Sequence, residues 1–232
     1  MKYTITPTCF KNITSYRGNK NDGIVASIIN RSPWIENPCT ISYNDSLSIK
    51  LQFSITELTI SNNACQNETK CSFENYSKLR SINIGSNCFK KCSGFTILSL
   101  PALRSVNIGK SSFTSMEVQQ DVCIKNCSEL VSFCMDVFSC PNASSLVISN
   151  LPSLSLLNLP SNSFNKASLL QISCCSSLFT LEIPAKSFQV VFKILIQNLP
   201  SLERIRMGVD SCQGKEGLAI TIAGIFYIGT SL

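Results

Sequence analysis

The sequence predicts a mainly β fold, a solenoid with parallel strands on two broad faces and little or no helix. Three observations predict it. An apolar residue recurs seven times at a nearly constant spacing, and each repeat carries two short segments in which apolar residues alternate with others. Alternation with a period of two buries one face of an extended strand. The connections between the segments are too short to hold a helix.

The first strand of each repeat is defined by the recurring apolar residue, which we number position 1, and by positions 4 and 6. Position 1 recurs in steps of 24, 24, 27, 24, 24 and 24 residues, and no polar residue occupies position 4 or 6. Each coil of a solenoid stacks on the previous one, so these strands are expected to lie about 4.8 Å apart in one parallel sheet. The residues at position 1 are Ile55, Leu79, Leu103, Leu130, Leu154, Leu178 and Leu202.

The second strand is defined by apolar residues eight and six residues before position 1. The pairs are Leu47/Ile49, Cys71/Phe73, Phe95/Ile97, Val122/Ile124, Leu146/Ile148, Leu170/Ile172, Ile194/Ile196 and Leu218/Ile220. The last pair lies in the apolar segment 217–228, which is too short to span a bilayer as a helix. We therefore interpret the start of this segment as a core strand.

Further columns mark the turns. Position 11 holds only phenylalanine or cysteine, position 10 holds small residues, and position 7 holds glycine or proline in five repeats. We expect the residues four before position 1, mostly asparagines, to point inward and bind turn amides that would otherwise be buried without partners. These residues are Asn75, Ser99, Asn126, Asn150, Cys174 and Asn198.

The one long step, from Leu103 to Leu130, carries three extra residues within 114–121. Insertions in repeat arrays form loops at one edge. This loop is a candidate contact site, and a neutral insertion is the simpler interpretation.

The repeats divide the chain into three parts. Residues 1–46 fit no repeat and are expected to form an irregular N-terminal cap, in which Trp34 covers the open end of the core. Residues 47–220 form the solenoid, and residues 221–232 form an apolar C-terminal tail or cap. Terminal units of a solenoid are usually atypical because one side faces water. About half of the thirteen cysteines fall in apolar columns, where free thiols pack as small hydrophobic groups.

The residue types exclude the common catalytic and metal-binding arrangements. The chain has no histidine, which removes Ser-His, Cys-His and His-metal sites. Nucleotide-binding glycine motifs, G-x-S-x-G and paired C-x-x-C spacings are absent, so we predict no catalytic residue, metal ligand or cofactor. The net charge of +6 forms no basic run with interleaved aromatic residues, which argues against nucleic acid.

Seven N-x-[ST] sequons occur, only slightly more than chance. Asn75 and Asn126 belong to the column predicted to point inward, where a glycan has no room. The sequons therefore give little support for secretion.

Residues 154–164 carry the pattern L-x-x-L-x-L-x-x-N-x-F, formed by Leu154, Leu157, Leu159, Asn162 and Phe164. This pattern resembles the leucine-rich-repeat signature, and the resemblance covers 47–220. The units are similar to the divergent repeat families of protists and distantly to BspA-like surface repeats, with a strand where common receptor units often have a helix or loop. The resemblance implies a leucine-rich-repeat solenoid that binds proteins through positions 3 and 5 of the first strand. The candidate partner-binding residues there are Asn83, Asn107, Asn158, Glu182, Arg204 and Arg206.

We therefore expect a non-enzymatic scaffold for protein–protein interaction, with a protein partner and with no nucleic acid, small-molecule substrate or cofactor. The N-terminus lacks the apolar run of a secretory signal, so we expect an intracellular, cytoplasmic location. Two alternatives stay open. One is a surface or adhesin-like structural protein anchored in the membrane by the apolar tail, and the other is a truncated family member without independent activity.

Overall fold

A computed structural model of the chain describes residues 38–42, 55–214 and 218–224. Within these ranges the chain forms fifteen strands and no helix. The strands are β1 (Pro38–Ile41), β2 (Glu57–Ile60), β3 (Ser72–Glu74), β4 (Ser81–Ile84), β5 (Phe95–Leu98), β6 (Ser105–Ile108), β7 (Val122–Lys125), β8 (Ser132–Met135), β9 (Ser145–Ser149), β10 (Leu156–Asn158), β11 (Leu169–Ser173), β12 (Thr180–Ile183), β13 (Lys193–Gln197), β14 (Arg204–Met207) and β15 (Ala219–Ala223).

The strands form two faces of a solenoid. The first face has a six-stranded sheet in the order β1-β2-β4-β6-β8-β10 and a separate pair, β12-β14. The second face is one seven-stranded sheet in the order β3-β5-β7-β9-β11-β13-β15. Successive coils pair in parallel and in register, as Leu58 does with Ile82 and Ile148 with Ile172. This confirms the predicted mainly β solenoid with parallel strands on both faces.

The core lies between the two faces and contains the predicted columns. All seven residues at position 1 are buried, as are positions 4 and 6 of the first six repeats. At position 11, Phe89 stacks on Phe113 with ring centroids 4.8 Å apart, and Phe164 stacks on Phe188 at 5.1 Å. Burying each such side chain contributes about 1.5–3 kcal/mol. The core is therefore a set of ladders that run from coil to coil.

Each coil contains three residues with a left-handed backbone. They lie four residues before position 1, at position 9 and at position 11, and twenty of the twenty-one are not glycine. A left-handed conformation costs a residue with a Cβ about 1–2 kcal/mol, and asparagine tolerates it best. At position 11 the burial of a phenylalanine offsets this cost. These bends turn the chain from one face to the other.

The prediction that the asparagines before position 1 point inward is wrong. Asn75, Asn126, Asn150 and Asn198 are exposed, with φ between 55° and 66°. Asparagine occupies this column because the backbone is left-handed there, and Asn150 Nδ2 donates to Asn126 Oδ1 at 3.0 Å along the outside. Their exposure also removes the steric argument against glycans at Asn75 and Asn126.

The buried polar ladder is formed instead by the small residues at position 10. Ser112 is fully buried; its Oγ donates to the Gly85 carbonyl at 3.0 Å and accepts from the Cys88 amide at 3.1 Å. Ser139 Oγ donates to the Gly109 carbonyl at 3.0 Å in the next coil. These hydroxyls satisfy turn groups that the core would otherwise leave without partners. The serine hydroxyls therefore have the role that was predicted from the sequence for the asparagines before position 1.

The last strand of the second face confirms the strand prediction but not its register. Ile194 pairs with Ile220 and Ile196 with Ile222, a step of 26 residues, so the predicted pair Leu218/Ile220 is wrong by two residues. Gly224, with φ of 69°, takes the left-handed place that Asn198 holds one coil earlier. The predicted pair Leu47/Ile49, Trp34 and the tail beyond residue 224 lie outside the described residues.

At the other end, β1 lies within the segment predicted as an irregular cap. It pairs with β2 in parallel, Cys39 beside Leu58 and Ile41 beside Ile60. The first face therefore begins one strand earlier than the repeat pattern indicates.

Replacing Leu157 by alanine tests the strand alternation. Leu157 is 7% exposed, so its loss leaves a cavity, and we expect Leu157→Ala to lower the free energy of unfolding by about 2–5 kcal/mol. The adjacent Leu156 is 51% exposed, and Leu156→Ala should cost less than about 0.5 kcal/mol. Denaturant titration measures both, and equal midpoints for the two variants would contradict the alternation.

Replacing Lys186 by glycine tests the left-handed bends. Lys186 is exposed with φ of 54°, so glycine relieves the strain and should raise the free energy of unfolding by about 0.5–1 kcal/mol. Lys166 is also exposed but has no positive φ, so Lys166→Gly serves as the control and should be destabilising. Thermal unfolding reports both changes, and a lower midpoint for Lys186→Gly would refute the role of the bend.

Candidate functional site

The candidate partner-binding residues lie on the outward side of the first face. In strands such as β2, β6 and β12 the side chains alternate between buried and more exposed, which turns positions 3 and 5 to solvent. On the last strand, β14, Arg204, Arg206 and Met207 are all exposed. Asn107 Nδ2 donates to Asn83 Oδ1 at 2.9 Å. Arg206 Nη1 donates to Glu182 Oε1 at 3.0 Å, and both side chains are about 60% exposed.

The structure separates these residues into two groups. Asn83 and Asn107 are neighbours on β4 and β6, and Cys134 on β8 stands between Asn107 and Asn158. Asn158, Glu182 and Arg206 line a single groove, while Arg204 lies in register with Thr180 on the strand beside it. The stripe that the sequence predicts is therefore concentrated at its C-terminal end.

This groove has a volume of about 430 Å³ and runs across three coils. Its apolar lining comes from Leu157, Leu159 and Ile183, and its polar lining from the three side chains just described. Ser161, Pro184, Ala185, Met207 and Gly208 complete it. Leu157, Leu159 and Ile183 are buried, so the accessible lining of the groove is mostly polar.

The groove coincides with a break in the first face. Strands β10 and β12 are not hydrogen-bonded to each other, although β9, β11 and β13 on the second face are paired throughout. In the regular coils the residue at position 2 donates to the carbonyl at position 2 of the previous coil, as Glu203 does to Phe179 at 2.9 Å. Phe179 makes no such backbone bond to Ser155. We call this break the seam.

A proline at position 7 removes one hydrogen-bond donor at the seam. At position 7, Gly85, Gly109 and Gly208 each donate an N–H to the preceding coil at 2.7–2.8 Å. Pro184 occupies position 7 in the coil after the seam and has no N–H to donate to the coil of β10. Pro160 also occupies position 7, but it faces the coil of β8, and β8 and β10 remain paired. The approach is also close, because a Cβ on Gly109 would lie 2.7 Å from the carbonyl carbon of Gly85.

The seam is bounded at both ends. The Ser177 amide donates to the Pro152 carbonyl at 3.1 Å before the strands, and the Asn162 amide donates to the Ala185 carbonyl at 3.2 Å after them. The gap is therefore a slot within one face. The sequence carries one signal of the seam, a proline at position 7 in Pro184, but proline in a turn column by itself predicts only a turn.

A second cleft was not predicted from the sequence. It has a volume of about 360 Å³ at the edge where the chain enters the first-face strands, and Arg80, Arg104 and Glu129 line it with Ser77, Pro101 and Ala102. The Arg104 amide donates to the Arg80 carbonyl at 2.7 Å, which brings the two arginines into adjacent coils. Both arginines occupy position 2 of their repeats. Binding residues were predicted from the sequence only at positions 3 and 5.

The inserted loop 114–121 is held at its C-terminal end. Gln120 Nε2 donates to the Thr69 carbonyl at 2.8 Å, and its Oε1 accepts from the Ser93 amide at 3.1 Å. Asp121 Oδ1 accepts from the Ser145 hydroxyl at 2.6 Å. Met116 at the tip is exposed. The loop thus projects an apolar side chain from a fixed base, and its role as a contact site stays a prediction.

Apart from Cys39 and Cys65, the cysteines of the described residues are free thiols, and most are buried. Burial raises the pKa of Cys92 and of Cys175 to about 12, and it raises that of Cys71 well above its usual range. Thiols with such pKa values are protonated at neutral pH and therefore react slowly. Cys174 is the contrasting case, because its side chain is exposed.

Within residues 38–42, 55–214 and 218–224, no group of three or more Cys, Asp or Glu side chains is arranged to hold a metal ion. The same part of the chain contains no helix long and apolar enough to cross a membrane.

No protein-family model matches the chain, and no curated protein and no solved structure matches it either. The fold therefore defines the class directly: a repeat protein built as a parallel β-solenoid.

Replacing Pro184 by glycine tests the origin of the seam. Glycine supplies the missing N–H and fits the close approach, so we expect a new bond to the Leu159 carbonyl and slower hydrogen exchange of the β12 amides. Pro101→Gly, a turn proline outside position 7 and away from the seam, is the matched control and should leave β12 unchanged. If the β12 amides exchange at the same rate in both variants, Pro184 does not cause the seam.

Proposed function

We propose that this chain is a non-enzymatic leucine-rich-repeat scaffold for protein–protein interaction and that it binds its partner with the first face. One observation carries the proposal. The groove at the seam gathers Asn158, Glu182 and Arg206 in one polar site, on the face that leucine-rich-repeat proteins are expected to use. Each of these three side chains comes from a different coil, so the stacking of the coils creates the site.

The repeat geometry supports the leucine-rich-repeat assignment. Repeats of mostly 24 residues place position 1 and positions 4 and 6 in one core and give a parallel first face. The second face departs from the common receptor units because it is a continuous sheet. We propose a divergent leucine-rich repeat of the protist type on these grounds.

The ion pair at the rim indicates how a partner is recognised. Arg206 and Glu182 are bonded to each other but largely exposed, and an exposed ion pair contributes only about 0–1 kcal/mol. A partner carboxylate can therefore replace Glu182 at little cost. Arg204 supplies a second guanidinium on the same strand, so an acidic or polar protein segment suits this end of the face.

We propose an intracellular, cytoplasmic location. The free thiols support it, because exposed thiols such as that of Cys174 persist in a reducing compartment and tend to oxidise outside it. The alternative is a surface or adhesin-like protein held by the apolar tail. Fractionation of native cells separates the two, since the scaffold is recovered without detergent and the anchored protein only with it.

Charge reversal tests the binding face. We expect the immobilised chain to retain a partner from native lysate, and Arg204→Glu with Arg206→Glu should reduce the retained amount at least tenfold, because a buried interfacial charge pair typically contributes about 2–5 kcal/mol when truncated. Quantitative mass spectrometry measures the retained protein.

The control is Lys91→Glu with Lys166→Glu, which makes the same charge change at two exposed turn positions. This control should retain the partner as the unmodified chain does. Equal loss in both double variants would mean that net charge, rather than the first face, governs retention, and no loss in either would refute the proposed face.

A further inference from the structure

The centre of the outward side of the second face has the composition of an interface core. Its central column contains no charged residue, and the five charged residues on this side lie in the two flanking columns. Depletion of charge distinguishes the core of a protein interface more clearly than hydrophobicity does. The central column comprises Ser72, Thr96, Cys123, Val147, Gln171, Leu195 and Thr221, one residue from each of the seven strands.

The two columns that flank it mirror each other. The entry column lies two residues before the central one and the exit column two residues after it, as the register of the strands requires. The entry column reads Lys70, Gly94, Asp121, Ser145, Leu169, Lys193 and Ala219. The exit column reads Glu74, Leu98, Lys125, Ser149, Ser173, Gln197 and Ala223.

A twofold axis along the central column would place each entry residue of one copy over the exit residue of the same strand in the other. The opposed pairs would then be Lys70 with Glu74, Gly94 with Leu98, Asp121 with Lys125, Ser145 with Ser149, Leu169 with Ser173, Lys193 with Gln197 and Ala219 with Ala223. Both pairs of opposed charges have opposite signs, and in two pairs a leucine faces a small residue. No like charges meet. The face is therefore complementary to itself, as a twofold interface requires.

We propose that the second face binds a second copy of this chain, sheet on sheet, about this twofold axis. The strands of one copy lie antiparallel over those of the other. The central side chains are half-buried in the single chain from β5 to β13, and the partner covers the rest of their surface.

The area is sufficient for such an interface. Seven strands spaced about 4.8 Å apart extend about 30 Å, and five residues at about 3.3 Å each extend about 16 Å. The face thus covers about 500 Å² on each copy, or about 1,000 Å² in total, which reaches the lower bound for a specific interface. This places the dimer among weak, reversible complexes.

The dimer leaves the first faces free and pointing in opposite directions. The inference therefore concerns a surface distinct from the groove of the proposed function. If the chain dimerises but binds no partner, the dimer proposal stands and the proposed function fails. If the chain binds a partner as a monomer, the proposed function stands and the dimer proposal fails.

Sedimentation of the full chain at about 10–100 µM, a range suited to a weak interface, tests the inference. We expect a monomer–dimer equilibrium. Val147→Lys places two like charges near the axis and should give a monomer, while Leu156→Lys on the first face makes the same type of change and should dimerise normally. Circular dichroism confirms that both variants fold.

A charge swap makes the test independent of any folding defect. Glu74→Lys opposes two lysines on each side of the axis at the β3 end of the dimer and should weaken it roughly tenfold, and adding Lys70→Glu should restore it. Restoration by the double variant is expected only if these residues face each other across a twofold axis. A monomeric parent chain, dimers insensitive to Val147→Lys, or a swap that fails to restore association would each overturn the proposal.

Discussion

The left-handed bends are the constraint on which the rest of this solenoid depends. Three of them in every coil direct the chain from the first face to the second and back, and only this path brings positions 1, 4, 6 and 11 into one core. Each bend costs a residue with a Cβ about 1–2 kcal/mol, and the residue at the bend itself reduces or offsets this cost. Asparagine lowers it at the exposed bends, and buried phenylalanine offsets it at position 11. Stacked rings such as Phe164 and Phe188 then carry the register from one coil to the next.

The two faces differ because their outward residues differ. The first face ends in charged strands and is interrupted where Pro160 and Pro184 follow each other in one column. The second face has no proline within its described strands and remains one sheet of seven. The groove forms at the interruption, and the uninterrupted sheet offers a continuous surface. The same repeat thus supplies two surfaces with different chemistry.

Much of the architecture could be predicted because it depends on apolar periodicity. The alternation at Leu157 and Leu159 indicates a strand whatever its neighbours are, and the structure confirms it. The orientation of Asn150 could not be predicted this way, because a column of asparagines fits both an inward ladder and an outward bend. The 26-residue step between β13 and β15 was not predicted. Gly224 marks this step because its positive φ matches that of Asn198 one coil earlier, and a φ angle cannot be read from the sequence. The groove lies beside Pro184, whose missing donor apolar periodicity does not reveal.

The seam also determines how the solenoid resists mechanical force. Tension along the stacking axis pulls the coils apart, and at most boundaries both sheets share the load. Between β10 and β12 the first face contributes no strand pairing, so the pairing of β9 with β11 and the bonds at the two turns carry the whole force. This boundary is therefore the weakest plane of the described solenoid. Stretching separates the chain there first, which exposes Leu157 and Ile183 while the coils on either side stay intact.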